Sequence, residues 1–227
     1  MDLGLKNKNA LITGGSQGIG LAIAKALAAE GCNVAIGARG RERHDQAVAE
    51  LSKFGVKAVP IVVDFMTEEG CRTFVDSAVA ALGGCDILVN NVGGMVPGTL
   101  DSLTQEQWKE SIDRNLMSYI HTTKFAIPHL KKSKAGRVLN ISGISGTMLF
   151  PGALSTTLSN AAIIGFNKLM ANDLAPFNIL VNNLCPGTVD VESWGPRAER
   201  MAKARGKTVE EVRGALSGMS MLNRLGR

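Results

Sequence analysis

The sequence predicts an α/β fold, a parallel sheet with helices on both faces, and two observations carry that prediction. Short apolar runs alternate along the chain with helical stretches of about 12 to 16 residues, the rhythm of βαβ units whose strands are buried on both sides. The first of those runs, Ala10-Leu11-Ile12, passes through a glycine turn, Thr13 to Gly20, into the helix formers Leu21 to Ala29. Glycines are wanted in such a turn because the backbone must bend sharply, approach a pyrophosphate closely and let the next helix lie tight on the sheet. That helix then aims its unpaired N–H groups and positive dipole end at the phosphates. The spacing is Gly14-x-x-x-Gly18-x-Gly20 rather than Gly-x-Gly-x-x-Gly, and taken alone it also fits a plain glycine turn between any strand and helix. The rest of the chain decides between the two.

Asn33 to Gly37 reads as a second strand, followed by a helix from about Glu42 to Phe54 that stops at Gly55. Ala58 to Val63 is a third strand, ending at Asp64; the next helix runs from an N-cap at Thr67 to Leu82, with Gly83-Gly84 as its stop. Asp86 to Asn90 is the fourth strand. Thr104 to Lys131 reads as one long helix, and Trp108, Ile112, Leu116 and Ile120 recur every four residues as a core stripe. Arg137 to Ile141, a helix from Ser155 to Leu174, and Ile179 to Leu184 continue the alternation, and a charged helical stretch covers about Glu192 to Leu216. The whole, residues 1–227, reads as a single domain.

Composition excludes several classes. The chain has 227 residues and is 45% hydrophobic, enough for one substantial core. No apolar run approaches the roughly 20 residues of a membrane span, and the first residues lack a signal-peptide core, so a cytoplasmic protein with no membrane partner is expected. Cys32, Cys71, Cys85 and Cys185 have no metal or disulfide spacing, which points to reduced buried thiols and no metal site. The net charge of +5 sits in the last segment, from Pro196 onward. Without interleaved aromatics it reads as a solvated helical face rather than a nucleic-acid surface.

Five motifs fall in order at the ends of these strands: the glycine turn, Asp64, Asn90-Asn91-Val92-Gly93, Asn115 in the long helix, and Pro186-Gly187. Together they resemble the short-chain dehydrogenase/reductase family over essentially the whole chain. The resemblance implies a three-layer Rossmann fold with strand order 3-2-1-4-5-6-7 and a nicotinamide dinucleotide across the carboxyl ends of the strands. It implies that Gly14, Ser16, Gly18, Ile19 and Gly20 form the pyrophosphate turn, with Gln17 among the cofactor-binding positions. Asp64 would accept from the adenine amino group, Asn91 and Gly93 would hold the turn beside its ribose, and Phe65, Pro186 and Gly187 would complete the cofactor site. At the end of the second strand an acid would suit NAD and an arginine the 2′-phosphate of NADP. Here Ala38 is followed by Arg39, which favours NADP over NAD. Arg41 and Arg43 also fit a solvated basic loop, and Gln17 stands where NADP-type relatives often carry a basic residue.

The resemblance fails at the chemistry. Family members pass a proton with a Ser and a Tyr-x-x-x-Lys, the lysine lowering the tyrosine's pKa. Aligning Gly165-Phe166 with the family's Gly-Phe places Gly143 at the serine, Thr156 at the tyrosine and Asn160 at the lysine. Only Asn115 keeps its identity. The one tyrosine, Tyr119, lies in another helix. Ser142, Ser145, Ser155, Thr157 and Ser159 surround the vacated positions; Ser142 or Ser145 is a candidate to replace the serine, while Ser155 or Thr156 also fits a helix N-cap and the others small packing residues. The pattern Leu158-Ser159-Asn160 in place of Tyr-x-x-x-Lys, with Asn90 to Gly94 followed by Pro97-Gly98 and the charged segment Gly206 to Glu211, looks like a divergent branch described as β-ketoacyl-carrier-protein-reductase-like.

Two readings follow: an NADP(H)-dependent oxidoreductase with an atypical or impaired site acting on an unidentified small molecule, or a catalytically silent dinucleotide-binding sensor or partner subunit. The family's last helix and seventh strand have no counterpart after Leu222 to Arg227: either these residues are a portion of a longer chain or the protein lacks that edge strand, and over residues 1–227 a sheet of order 3-2-1-4-5-6 is expected. A homodimer or homotetramer would then form through helical faces.

Overall fold

The computed structural model describes residues 1–149, 152–191 and 194–226. Contacts gather the chain into two compact units, Met1–Cys185 and Pro186–Arg227.

The first unit is built on a six-stranded parallel sheet of order β3-β2-β1-β4-β5-β6. Its strands are β1 (Asn9–Thr13), β2 (Asn33–Ala38), β3 (Ala58–Val62), β4 (Ile87–Asn90), β5 (Arg137–Ile141) and β6 (Leu180–Leu184). Alternation along each strand sends side chains to opposite faces. Leu11, Ala35, Leu88 and Val138 go to one core, with Phe74 and Val75 of α3 (Glu68–Leu82) and Ala126 and Leu130 of α5 (Ser118–Leu130). Ala10, Ile12, Val34, Ile36 and Val89 go to the other, with Leu21 and Ala24 of α1 (Gly18–Ala29) and Ala47 and Leu51 of α2 (Arg41–Ser52). The central strands β1, β2 and β4 are buried almost throughout, which is why they read as apolar runs. Because all strands are parallel, Thr13, Ala38, Asn90, Ile141 and Leu184 end on one edge.

Helix α3 ends as expected: the Thr67 hydroxyl accepts from the Gly70 N–H, and Gly83 closes the C-terminus in the left-handed region. The long helix differs. It is α4 (Gln105–Ile112), a π-helical turn Asp113–Met117, and α5. The wide turn places Asn115 in the interior, and such insertions recur at functional sites. The stripe Trp108, Ile112, Leu116, Ile120 is not core: Ile112 is 38% exposed and the other three are half-buried. The buried face is instead largely polar, with Ser111, Asn115, Ser118, Tyr119, Thr122 and Thr123 leading to Ala126 and Leu130. Helical period alone does not say which face turns inward, and here the one with the hydrogen-bonding groups does.

Helix α6 (Leu154–Leu174) begins after Ala153, which provides no side-chain cap, so neither Ser155 nor Thr156 is an N-cap. In the second unit the charged stretch is two helices, α7 (Trp194–Arg205) and α8 (Val209–Ser217), separated at Gly206, whose φ is +62°. Thr208 and Glu211 form a reciprocal capping box at the start of α8. Glu192 and Arg227 lie outside the described residues. Among the described residues no seventh strand is present, and no helix is long and apolar enough to cross a membrane.

Candidate functional site

The glycine turn joins β1 to α1 at the carboxyl edge. Gly14 and Gly18 have φ of +66° and +56°, the left-handed region where side chains are strained. A Cβ on Gly20 would lie 2.3 Å from the Gly14 carbonyl oxygen, so α1 can press onto the turn only because this residue is glycine. The turn is also held from behind. The Asn91 side-chain amide donates to the carbonyls of Thr13 and Gly14, both at 3.1 Å. In return the Thr13 hydroxyl accepts from the backbone N–H groups of Asn91 at 2.8 Å and Val92 at 3.1 Å. Gln17, the N-cap of α1, makes no side-chain hydrogen bond to that helix. The first N–H groups of α1 are therefore left to an incoming anion. Ser16 and Ile19 are half-buried beside them.

Arg39 follows β2 and is exposed. Asp64 is exposed, and its carboxylate accepts from the Met66 N–H at 3.1 Å. Phe65 follows Asp64 and turns its ring into the core. It is 4% exposed and packs edge-on against Phe74, ring centroids 5.0 Å apart, so only its backbone is open to a ligand. Gly93 follows Asn91, where an added Cβ would stand 3.3 Å from Asn115 Oδ1. Pro186 and Gly187 open the second unit.

Asn115 is a buried staple. Its carbonyl oxygen accepts from the Gly94 N–H at 2.8 Å, while its amide donates to the Gly94 carbonyl at 3.0 Å and the Ser111 carbonyl at 2.9 Å. Its side chain thus positions the loop after β4.

At the start of α6, Thr156 and Asn160 are neutral groups bonded to their neighbours. The Thr156 hydroxyl accepts from the Val96 N–H at 3.2 Å and keeps only an aliphatic alcohol's proton to give. The Asn160 amide donates to Ser145 Oγ at 2.8 Å. A Cβ on Gly143 would come within 2.8 Å of that same amide nitrogen, so Gly143, Ser145 and Asn160 are in one place. Ser142 is elsewhere. Its hydroxyl accepts from the Asn183 amide at 3.0 Å and lies 3.3 Å from the Cys185 sulfur, facing β6 rather than Asn160. Of the remaining hydroxyls, Ser155 and Ser159 are buried and bonded to backbone carbonyls, and Thr157 is buried too.

Tyr119 is 2% exposed and donates to the Ile141 carbonyl at 2.6 Å; burial pushes its phenol above the usual range. Burial likewise raises the Cys32 and Cys71 thiols to about 11, which keeps them protonated and unreactive. All four cysteines are free, and among the described residues no cluster of His, Cys, Asp or Glu suits a metal. The sequence reading missed two contacts: Asn183 with Ser142 and Cys185, and Arg43 with Gln17. Asn183 is on β6 and Cys185 lies just past its end, two positions on; nothing in the spacing of Gln17 and Arg43 signals their contact.

The sheet order and the braced glycine turn define an α/β protein of the dinucleotide-binding class. The profile of the short chain dehydrogenase family matches residues 8–202. The chain belongs to that family. It is 35% identical over 189 residues to the 3-oxoacyl-[acyl-carrier-protein] reductase FabG of Chlamydia muridarum, covering 83% of this chain and 76% of that protein. Among solved structures, the L-sorbose reductase of Gluconobacter frateurii complexed with NADPH and L-sorbose is 29% identical with a TM-score of 0.94, covering 100% of this chain and 87% of the other. An NAD+-bound xylitol dehydrogenase is 29% identical with a TM-score of 0.90, covering 98% and 88%.

Proposed function

We propose that the chain acts as one NADP(H)-binding domain whose site for hydride exchange between carbonyl and alcohol is impaired. The observation that carries this reading is the contrast between an intact, braced glycine turn and the neutral Thr156 and Asn160 where the family's phenol and ammonium belong. Gly14, Ser16, Gly18, Ile19 and Gly20 would hold the pyrophosphate, and Asp64 the adenine amino group. Arg39 would meet the 2′-phosphate, for which a guanidinium is a bidentate partner. The nicotinamide, when bound, supplies or takes the hydride. What this chain can add is hydrogen bonding: the Ser145 hydroxyl, held by Asn160, and the Thr156 hydroxyl are donors for a substrate oxygen. Neither approaches the acidity of a phenol beside a lysine, and general acid catalysis contributes about 10²- to 10⁴-fold. Reduction of ordinary ketones is accordingly slow.

The experiment is titration of the purified protein with NADPH and NADH. NADPH binds more tightly, and Arg39→Ala reduces the preference by about 10-fold or more, a change of roughly 1.4 kcal/mol or more. An unchanged ratio in that variant refutes the assignment.

A second reading, a silent dinucleotide-binding sensor or partner subunit, is favoured by the burial of Tyr119. NADPH oxidation against a panel of carbonyl compounds separates the two, since the silent protein shows binding and no turnover.

Helix α6 exposes Leu158, Ala161, Ala162, Gly165 and Leu169 on one face, which supports a homodimer or homotetramer through helical faces. Four free thiols support a reducing compartment, the cytoplasm.

A further inference from the structure

Helices α1 and α2 are joined by an ion pair at only one level. Lys25 of α1 meets Glu50 of α2 well along both helices. Around the glycine turn and the start of α2, Arg39, Arg41 and Arg43 are all exposed, and among the described residues no ion pair neutralises any of them. One of the three is nevertheless fixed. Arg43 Nη1 donates to Gln17 Oε1 at 2.6 Å, across 26 positions of sequence. A neutral amide acceptor aims a guanidinium without cancelling its charge, and four of the five guanidinium donors stay open. Gln17 belongs to the pyrophosphate turn, so the contact draws a cation from α2 to the turn itself.

We propose that Arg43, held by Gln17, is a second contact to the 2′-phosphate of NADP(H), acting beside Arg39. This rests on the NADP(H) reading above. It also gives Gln17 a role: it is a positioning residue that presents a cation from another helix, where relatives often carry a basic residue of their own. A solvated basic loop would have no need of the pairing.

The test is the ratio of NADPH to NADH dissociation constants, measured by fluorescence titration for the wild type, Arg39→Ala, Arg43→Ala, Arg43→Lys and Gln17→Ala. Arg43→Ala weakens NADPH by about 5- to 20-fold and NADH by less than about two-fold, the size of a lost charge-assisted contact. Arg43→Lys restores part of the loss, and Gln17→Ala weakens NADPH by about three-fold through the freed guanidinium. Added salt erodes the preference more in the wild type than in Arg43→Ala, because one screened cation is already gone. The proposal is overturned if Arg43→Ala leaves the ratio within about two-fold of the wild type while Arg39→Ala collapses it, a result that spares the NADP(H) reading. Equal weakening of NADPH and NADH also overturns it, since the pair would then merely brace the turn. A wild type without preference for NADPH removes both.

Discussion

The turn after β1 and the stretch from the end of β5 into α6 are both at the carboxyl edge of the sheet, yet their polar groups are engaged differently. Around Gly14 the side chains of Thr13 and Asn91 bond backbone from behind, and the ligand side is left as bare N–H groups at the head of α1. Around Asn160 the side chains bond to one another or to the adjacent loop, Asn160 to Ser145 and Thr156 to Val96. A grip on phosphate made of backbone and glycine depends on the fold as a whole. Proton transfer depends on two or three particular side chains, so it can be lost by substitution with the fold left standing.

The largest effect that bears on this contrast is expected at Gly20. Gly20→Val forces a Cβ toward a carbonyl 2.3 Å away, and dinucleotide binding should fall by about 100-fold or more, with a stability loss of about 1–3 kcal/mol. Titration and thermal melting read the two separately; retained binding in a folded variant would falsify the importance given to this close approach.

Next in size is restoration of the missing groups. The triple variant Gly143→Ser, Thr156→Tyr, Asn160→Lys should raise NADPH-dependent carbonyl reduction by about 10²-fold. Gly143→Ser alone should not, because its Cβ meets the Asn160 amide at 2.8 Å. No gain in a folded triple variant counts against the alignment.

Tyr119→Phe sharpens the contrast from the other side. It strips the Ile141 carbonyl of its buried donor and should cost about 1–2 kcal/mol of stability, with NADPH binding and any turnover unchanged. A large loss of turnover would return Tyr119 to the chemistry.

The smallest expected effect is at His44 on α2. The ring is buried and 1% exposed, and burial holds its pKa below the ordinary 6.5. Unfolded His44 then takes up a proton that the folded state resists, so its contribution favours folding above about 6.5 and is lost as pH falls below it. Melting temperatures measured downward from pH 7 should drop less steeply in His44→Leu than in the wild type.

Much of this molecule was legible in its residues. Period and punctuation located six strands and the helices between them to within a few positions, because apolar runs bounded by caps and glycines are a local property. The Thr67 cap and the Gly83 stop were read in place. Gly143 and Asn160, paired on the sequence alone, do lie side by side. Three things were not legible. The π-helical turn at Asn115 cannot be seen in a four-residue repeat. The stripe from Trp108 to Ile120 has the right period and the wrong destination. Nor does the sequence show that the Phe65 ring packs edge-on against Phe74 in the core.

Taken by itself, the order of residues determined the alternating α/β plan, the glycine turn and the absence of a Tyr-x-x-x-Lys pair, since each is a matter of which residue stands at which spacing. The tertiary structure alone decided which helix face is buried, that Ser142 turns to Asn183 while Ser145 turns to Asn160, and that Arg43 reaches Gln17. These are contacts between side chains far apart in the chain, and only the packing of one element on another sets their distance.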